Sequence, residues 1–328
     1  MDGNGIKFRR YFKEYKVKNV MAMVRNNDKK PLVCDEDCHG KLVVVTGATS
    51  GIGYETAKKF ASKGADLICI NRNREKSDAL KAEIEREYHV GCRIILADLS
   101  SMADTFRAAR ELLALEAPID VLVHNAGIYL TKRQMTEDGI EIVFMVNHLS
   151  SFLINNMLKE KLKGEGKCRI ILVNSEGHRF AAWGMRLDDL SYSKQRYSGL
   201  GSYGRAKLSQ LLSMMKFDEF FKGSGVTINA MHPGAVQSAT GQDNGRLYKW
   251  FKKNSLDKAL KPTSMGAEAI YYLGVVPELE KVSGKFFNLT TLEEPAPPAL
   301  DRETADALWD LSVEMVRQHD QGEDRQAD

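Results

Sequence analysis

The chain has 328 residues, 43% of them hydrophobic, and a formal net charge of only +3. That length and composition suit one large α/β domain or two small ones and exclude a disordered chain, while so small a charge gives no reason to expect a nucleic-acid partner. There is no run of about eighteen apolar residues, no secretory apolar core and only an odd, scattered set of five cysteines, so the expectation is a soluble cytoplasmic protein without a disulfide framework.

Residues 1–38 interleave Lys7, Arg9, Arg10, Lys13, Lys16 and Lys18 with Phe8, Tyr11, Phe12, Tyr15 and Val20. Such a segment suits an arm packed on the domain or contact with an anionic membrane surface, and its weak periodicity favours the arm. Cys34-Asp35-Glu36-Asp37-Cys38-His39 has one residue too many for a C-x-x-C-H haem motif and no second ligand pair nearby. A solvated loop without metal is the expectation.

Lys41-Leu42-Val43-Val44-Val45 is an apolar, β-branched run that breaks into Thr46-Gly47-Ala48-Thr49-Ser50-Gly51-Ile52-Gly53 and then a helical pattern from Tyr54. Strand, tight turn and helix in this order let backbone N–H groups approach a pyrophosphate, because glycines carry no Cβ and the helix presents its positive end. The spacing Gly-x-x-x-Gly-x-Gly differs from the common G-x-G-x-x-G fingerprint. Ala57, Phe60 and Ala61 recur at helical spacing up to Gly64, and Asp66–Ile70 reads as a second buried strand. It ends at Asn71-Arg72-Asn73-Arg74, where an NAD-selective fold would carry an acid for the ribose 2′-hydroxyl. Two arginines stand there instead.

A polar helix with Ala79, Ala82, Ile84 and Tyr88 as inner positions leads to a third strand, 93–97, followed by Asp98, which could cap the next helix. Helix 102–115, strand 120–123 and His124-Asn125-Ala126-Gly127 follow. The repeated alternation predicts a single-domain, Rossmann-type doubly wound parallel sheet with helices on both faces and ligands at the carboxyl ends of its strands. Strand 169–173 ends in Asn174-Ser175. A long helix to about Lys222 then opens with Tyr203-Gly204-Arg205-Ala206-Lys207, whose phenol and ammonium share one face. After strand 226–230 come His232-Pro233-Gly234-Ala235-Val236-Gln237-Ser238 and a polar-aromatic insertion, 239–262, carrying Leu247, Tyr248, Trp250 and Phe251. That insertion reads as a cover for an apolar substrate, or as packing on the sheet edge. A helix from Ser264 to Val275 and a last strand, 284–288, complete the pattern.

The glycine turn with Thr46, the Asn125-Ala126-Gly127 segment and the Tyr-x-x-x-Lys spacing resemble the short-chain dehydrogenase/reductase family over about residues 40–315. Val146-Asn147-His148, His232-Pro233-Gly234 and the tail resemble its retinol dehydrogenase and protochlorophyllide reductase branch, although the membrane-spanning N-terminus of many retinol dehydrogenases is not seen. Residues 316–328 read as a polar tail. The resemblance implies Tyr203 as acid-base group, Lys207 as the cation that lowers its pKa, Ser175 as holder of the substrate oxygen and Asn147 as support for a proton relay through its backbone carbonyl. It implies cofactor contacts from Gly47, Thr49, Ser50, Gly51, Ile52, Gly53, Asp98, Leu99, Asn125, Ala126, Gly127, Tyr203, Lys207, Pro233, Gly234, Val236 and Ser238. Arg72, helped by Arg74, suits the 2′-phosphate of NADP(H), so NADP(H) is expected over NAD(H). The substrate expected is a hydrophobic aldehyde, ketone or alcohol, with a non-catalytic NADP(H) sensor and a double-bond reductase as alternatives.

Overall fold

In a computed structural model the chain is described over residues 29–234 and 262–324, together with residues 11, 13–16, 19, 21, 25 and 26 of the N-terminal segment. The elements run β1 (Leu42–Thr46), α1 (Gly51–Ala61), β2 (Asp66–Asn71), α2 (Arg74–Tyr88), β3 (Cys92–Leu96), α3 (Met102–Leu113) and β4 (Val121–His124). They continue with α4 (Ser150–Glu165), β5 (Cys168–Val173), α5 (Gly199–Phe221), β6 (Val226–His232), α6 (Thr263–Val275), β7 (Phe286–Asn288), β8 (Thr291–Glu293) and α7 (Arg302–Asp324).

These form one eight-stranded sheet in the order β3-β2-β1-β4-β5-β6-β7-β8. All pairs are parallel except β7 with β8, the antiparallel edge that the sequence did not disclose. Each central strand is apolar on both faces, as a sheet covered by helices on both sides requires. On β1, Val43 and Val45 pack beneath α1 and α6, whereas Val44 faces α3, α4 and α5. On β5, Ile171 and Val173 take the first face and Ile170 and Leu172 the second. Strand order reverses between β1 and β4. The crevice at that switch point is where the fold leaves room for a ligand.

Several local expectations change. In α2 the buried positions are Ser77, Leu80 and Ile84, while Ala79 and Ala82 are exposed. Alanine is too small to fix the phase of a helix, and the branched Leu80 and Ile84 set it instead. Ser101 caps α3 by accepting from Asp104 N, and Asp98 instead accepts from the Ser100 amide at 2.9 Å. The Cys34–His39 segment is not wholly a solvated loop. Cys38 is fully buried beside α1 and α6, and its amide donates to Lys63 O at 2.8 Å. All five cysteines are unpaired thiols.

Helix α7 continues past residue 315 to Asp324, with Val316 buried and His319 stacked on Phe106 at 5.7 Å. The described part of the N-terminal segment packs on the domain as an arm. Tyr11 is buried and donates to Asp301, Asn26 donates to Glu293 at 2.9 Å, and Leu32 N donates to Thr290 at 2.8 Å. Among the described residues no helix is long and apolar enough to cross a membrane. Val236, Ser238 and the aromatic residues of the 239–262 insertion lie outside the described residues.

Candidate active site

The turn after β1 is held open by its own residues. Gly47 and Gly51 have φ of +70° and +59°, a backbone region that disfavours side chains. The Thr46 hydroxyl accepts from the amides of Asn125 and Ala126, both at 3.0 Å, which ties the end of β1 to the end of β4. Asn125 Nδ2 returns the link by donating to the carbonyls of Thr46 and Gly47, both at 3.0 Å. Ser50 occupies the N-cap of α1 without capping it, and the first turn carries no acid. The leading N–H groups of α1 therefore stay available to an anion.

Gly53 is buried and does not face the ligand space; a Cβ there would lie 2.3 Å from both Asn125 Nδ2 and the Gly47 oxygen. Gly53→Ala should force the β1–α1 turn apart, costing about 1–3 kcal/mol of stability and weakening dinucleotide binding. Gly164→Ala, with nothing within 4 Å of the added carbon, should instead leave the protein as stable or up to about 1 kcal/mol more so. Thermal melts and a nucleotide titration of the two variants check this contrast.

A cavity of about 780 Å³ opens at the carboxyl ends of β1, β2, β4, β5 and β6. It brings together Gly47, Thr49, Ser50, Gly51, Ile52, Arg72, Asp98, Leu99, Asn125, Ala126, Gly127, Ser175, Tyr203, Lys207, Pro233 and Gly234, nearly every expected residue that is described. The two that do not line it are Gly53 and Asn147. Arg74 also departs from expectation. It lies on the outer sheet-edge hollow with Asp78 and Lys81, whereas Lys76, two residues further, borders the cavity with Arg72.

Beside Arg72, the buried Asn71 accepts from Ala48 N at 2.7 Å through Oδ1, and its Nδ2 has no partner among the described residues. Open glycine backbone, an uncapped helix start and an orphaned amide donor suit a phosphate-bearing dinucleotide. Sequence reading missed Asn71 because it sought only charged groups at the strand end, and Lys76 because the phase of α2 decides which of its first side chains meets the cavity.

At the inner end, Lys207 is buried and its Nζ donates to Val173 O at 2.7 Å. Burial pulls its pKa from 10.5 down to about 7. Burial also pushes the Tyr203 phenol up, opposed by a hydrogen bond with Ser175. The expected lowering of the tyrosine by its lysine is therefore not found: both charged forms lose their water, and Nζ sits 6.0 Å from the ring centre, bonded to a backbone carbonyl.

Ser175 Oγ accepts from the Gly177 amide at 2.9 Å, which leaves its own proton to donate elsewhere. Asn147 lies in a π-helical turn, Met145–Leu149, that precedes α4, and its side chain exchanges two 2.8 Å bonds with the backbone of Ile128. π-Turns re-aim backbone carbonyls and recur at functional sites. Gly127 is flanked by this side chain and Lys207: a Cβ there would be 2.8 Å from Asn147 Oδ1 and 3.6 Å from Nζ.

The sequence profile of the short chain dehydrogenase family matches residues 41–185. Human Retinol dehydrogenase 13 is 36% identical over 284 residues, covering 84% of this chain and 85% of that one. The chain belongs to the short-chain dehydrogenase/reductase family. It falls in the retinol dehydrogenase branch of this oxidoreductase family, whose members bind a nicotinamide cofactor. An uncharacterised protein from Mycobacterium paratuberculosis shares the fold with a TM-score of 0.66 at 25% identity, covering 89% of this chain and 97% of that one. A short-chain dehydrogenase from Sphingobium yanoikuyae in complex with NADPH aligns with a TM-score of 0.59 at 22% identity, over 71% of this chain and 83% of that one. Against the family pattern, His124 replaces the usual first asparagine of the Asn-Asn-Ala-Gly segment. It is buried, meets Asn155 Oδ1 at 2.8 Å through Nε2, and is held neutral by burial, its pKa drawn down to about 4.

Proposed function

We propose that the protein is an NADP(H)-dependent oxidoreductase that interconverts a carbonyl and an alcohol on a hydrophobic substrate. The observation that carries this reading is the meeting of Ser175, Tyr203 and Lys207 in the same cavity as the glycine turn. The nicotinamide dinucleotide, when bound, supplies or accepts the hydride. In the reductive direction Tyr203 gives its phenolic proton to the substrate oxygen, and Ser175, its Oγ already accepting from Gly177, donates to the same oxygen and orients it. Lys207, held near neutral pH by burial, can take up or release the proton that Tyr203 exchanges. Asn147, locked through its side chain to Ile128, fixes the π-turn beside that lysine.

An apolar substrate is supported by Ile128, Leu130, Ile142 and Val146 along the cavity wall, and an alcohol or carbonyl group by the kinship with a retinol dehydrogenase. Activity of the purified protein with NADPH on a panel of hydrophobic aldehydes and ketones tests the reading. Absence of turnover across such a panel, in either direction, would count against it.

Cofactor choice rests on Arg72 and Lys76 bordering the cavity, with no acid at the end of β2. A guanidinium can grip a 2′-phosphate through paired charge-assisted bonds that together contribute about 1.5–3 kcal/mol, so their loss in Arg72→Ala should weaken NADPH roughly ten- to a hundredfold. Arg72→Asp should go further, because a carboxylate repels that phosphate and accepts from the 2′-hydroxyl of NADH. The measurement is the ratio of kcat/KM for NADPH over NADH in each protein. A wild-type preference for NADH would overturn the cofactor assignment.

A further inference from the structure

The turn that follows Ser175 is fastened by a histidine with no place in the proposed chemistry. His178 is fully buried, and its ring lies edge-on to Phe286 at 5.0 Å. Nδ1 meets the Ser175 carbonyl oxygen at 2.7 Å, and Nε2 meets the Ala296 amide at 3.0 Å, 118 residues away in sequence. A carbonyl oxygen only accepts and an amide N–H only donates, so the partners fix the ring as the neutral tautomer with its proton on Nδ1. Burial acts the same way, drawing the pKa down to about 3, with the nearby Arg179 and His232 adding to it.

The Ser175 carbonyl also accepts from the His178 amide at 3.1 Å, and the Ser175 amide donates to Asn174 Oδ1 at 2.8 Å. Every backbone polar group of the serine is thereby tied, and the tie from His178 is the one that reaches out of the β5–α5 connection into the 286–301 segment. That segment is itself anchored: Arg179 donates to Glu293 at 2.8 Å, and Asn26 of the N-terminal arm donates to the same carboxylate at 2.9 Å.

We infer that His178 is a positioning residue, which sets the direction of the Ser175 hydroxyl by bridging the serine's carbonyl to the Ala296 amide. The inference rests on the reading of Ser175 as the group that holds the substrate oxygen. Without this bridge the turn is still tied through Arg179, but the Ser175 carbonyl keeps only the His178 amide and can shift at the strand end, and a hydroxyl displaced by a fraction of an ångström no longer meets the carbonyl oxygen as Tyr203 protonates it. Position, not affinity for the dinucleotide, is what the bridge controls. The glycine turn, Asn71 and Arg72, which would hold the dinucleotide's phosphates, stand at the ends of β1 and β2, so its binding should not respond.

Two substitutions separate the two ring nitrogens. An asparagine amide can stand in for Nδ1–H as donor to Ser175, and a glutamine carbonyl can stand in for Nε2 as acceptor from Ala296. Each variant keeps one half of the bridge and breaks the other, so His178→Asn and His178→Gln should both lower kcat by about tenfold or more while leaving the NADPH dissociation constant unchanged. Both should melt below wild type, since each loses one buried bond.

A kcat within about threefold of wild type in either variant, or a loss of kcat that NADPH affinity shares, would overturn the inference in favour of a packing role. Ser175→Ala serves as the control on the underlying reading. If that variant turned over like wild type, the role of Ser175 would fail whatever the histidine variants did; if it were inactive while His178→Gln stayed fully active, only the positioning role would fail. Nitrogen-15 spectra of histidine-labelled wild-type protein give an answer that does not depend on variant folding. The expected signal is a neutral Nδ1–H tautomer at neutral pH, and an Nε2–H tautomer or an imidazolium would refute the bridge.

Discussion

Tyr203→Phe should lower kcat for carbonyl reduction by about 10²–10⁴, the range a positioned proton donor contributes. The aromatic ring is retained, and the ring is what the fold uses: it lies against Gly177, where a Cβ would come within 2.6 Å of it, and meets Tyr129 edge-on at 5.9 Å. Melting temperature and NADPH affinity should accordingly change little. Steady-state rates beside a nucleotide titration separate the two effects. Wild-type turnover in the Phe variant would mean that the proton comes from elsewhere.

Lys207→Met should abolish most activity and, at the same time, stabilise the protein. A lysine with a folded pKa of about 7 against an ordinary 10.5 holds fewer protons folded than unfolded throughout that window. The wild type therefore gains stability from this group as pH rises from about 7 toward 10, and bears the full penalty of burying an ammonium below about pH 7. A methionine of similar length removes the penalty at the cost of the bond to Val173 O, so the variant should be more stable on the order of 3 kcal/mol at about pH 6. The gap should shrink toward pH 10. Chemical denaturation at several pH values tests the sign, and a variant less stable than wild type at pH 6 would show that the ammonium is well solvated or otherwise paired.

The expectations that survive best are those in which one residue type is dictated by local backbone geometry. Gly47 and Gly51 could be placed because a turn with positive φ has few other solutions. Ser175, Tyr203 and Lys207 could be placed because a strand end and a four-residue helical step put them at the same carboxyl edge. Arg74 and Lys76 could not be told apart in the sequence. Two residues along the start of α2 turn a side chain from the cavity to the outer sheet edge, and the first helical residue depends on where Asn73 caps, which it does by accepting from Lys76 N at 2.8 Å.

The sequence by itself determined the doubly wound sheet, the succession of its first seven strands along the chain and the edge at which the cavity opens, because apolar runs, glycine turns and helical periodicity act over a few residues. Only the tertiary structure decided the state of the charged groups and the supports behind them. The pKa of Lys207 depends on how completely neighbouring elements strip its water, and nothing within four residues encodes that. The antiparallel strand β8, the anchoring of the N-terminal arm through Asn26 and Tyr11, and the bridge from His178 to Ala296 each join residues more than a hundred positions apart or pair three-residue strands. Such contacts are chosen by the packing of the whole chain, since only the assembled core brings both partners to the same place and removes the water that would otherwise satisfy them.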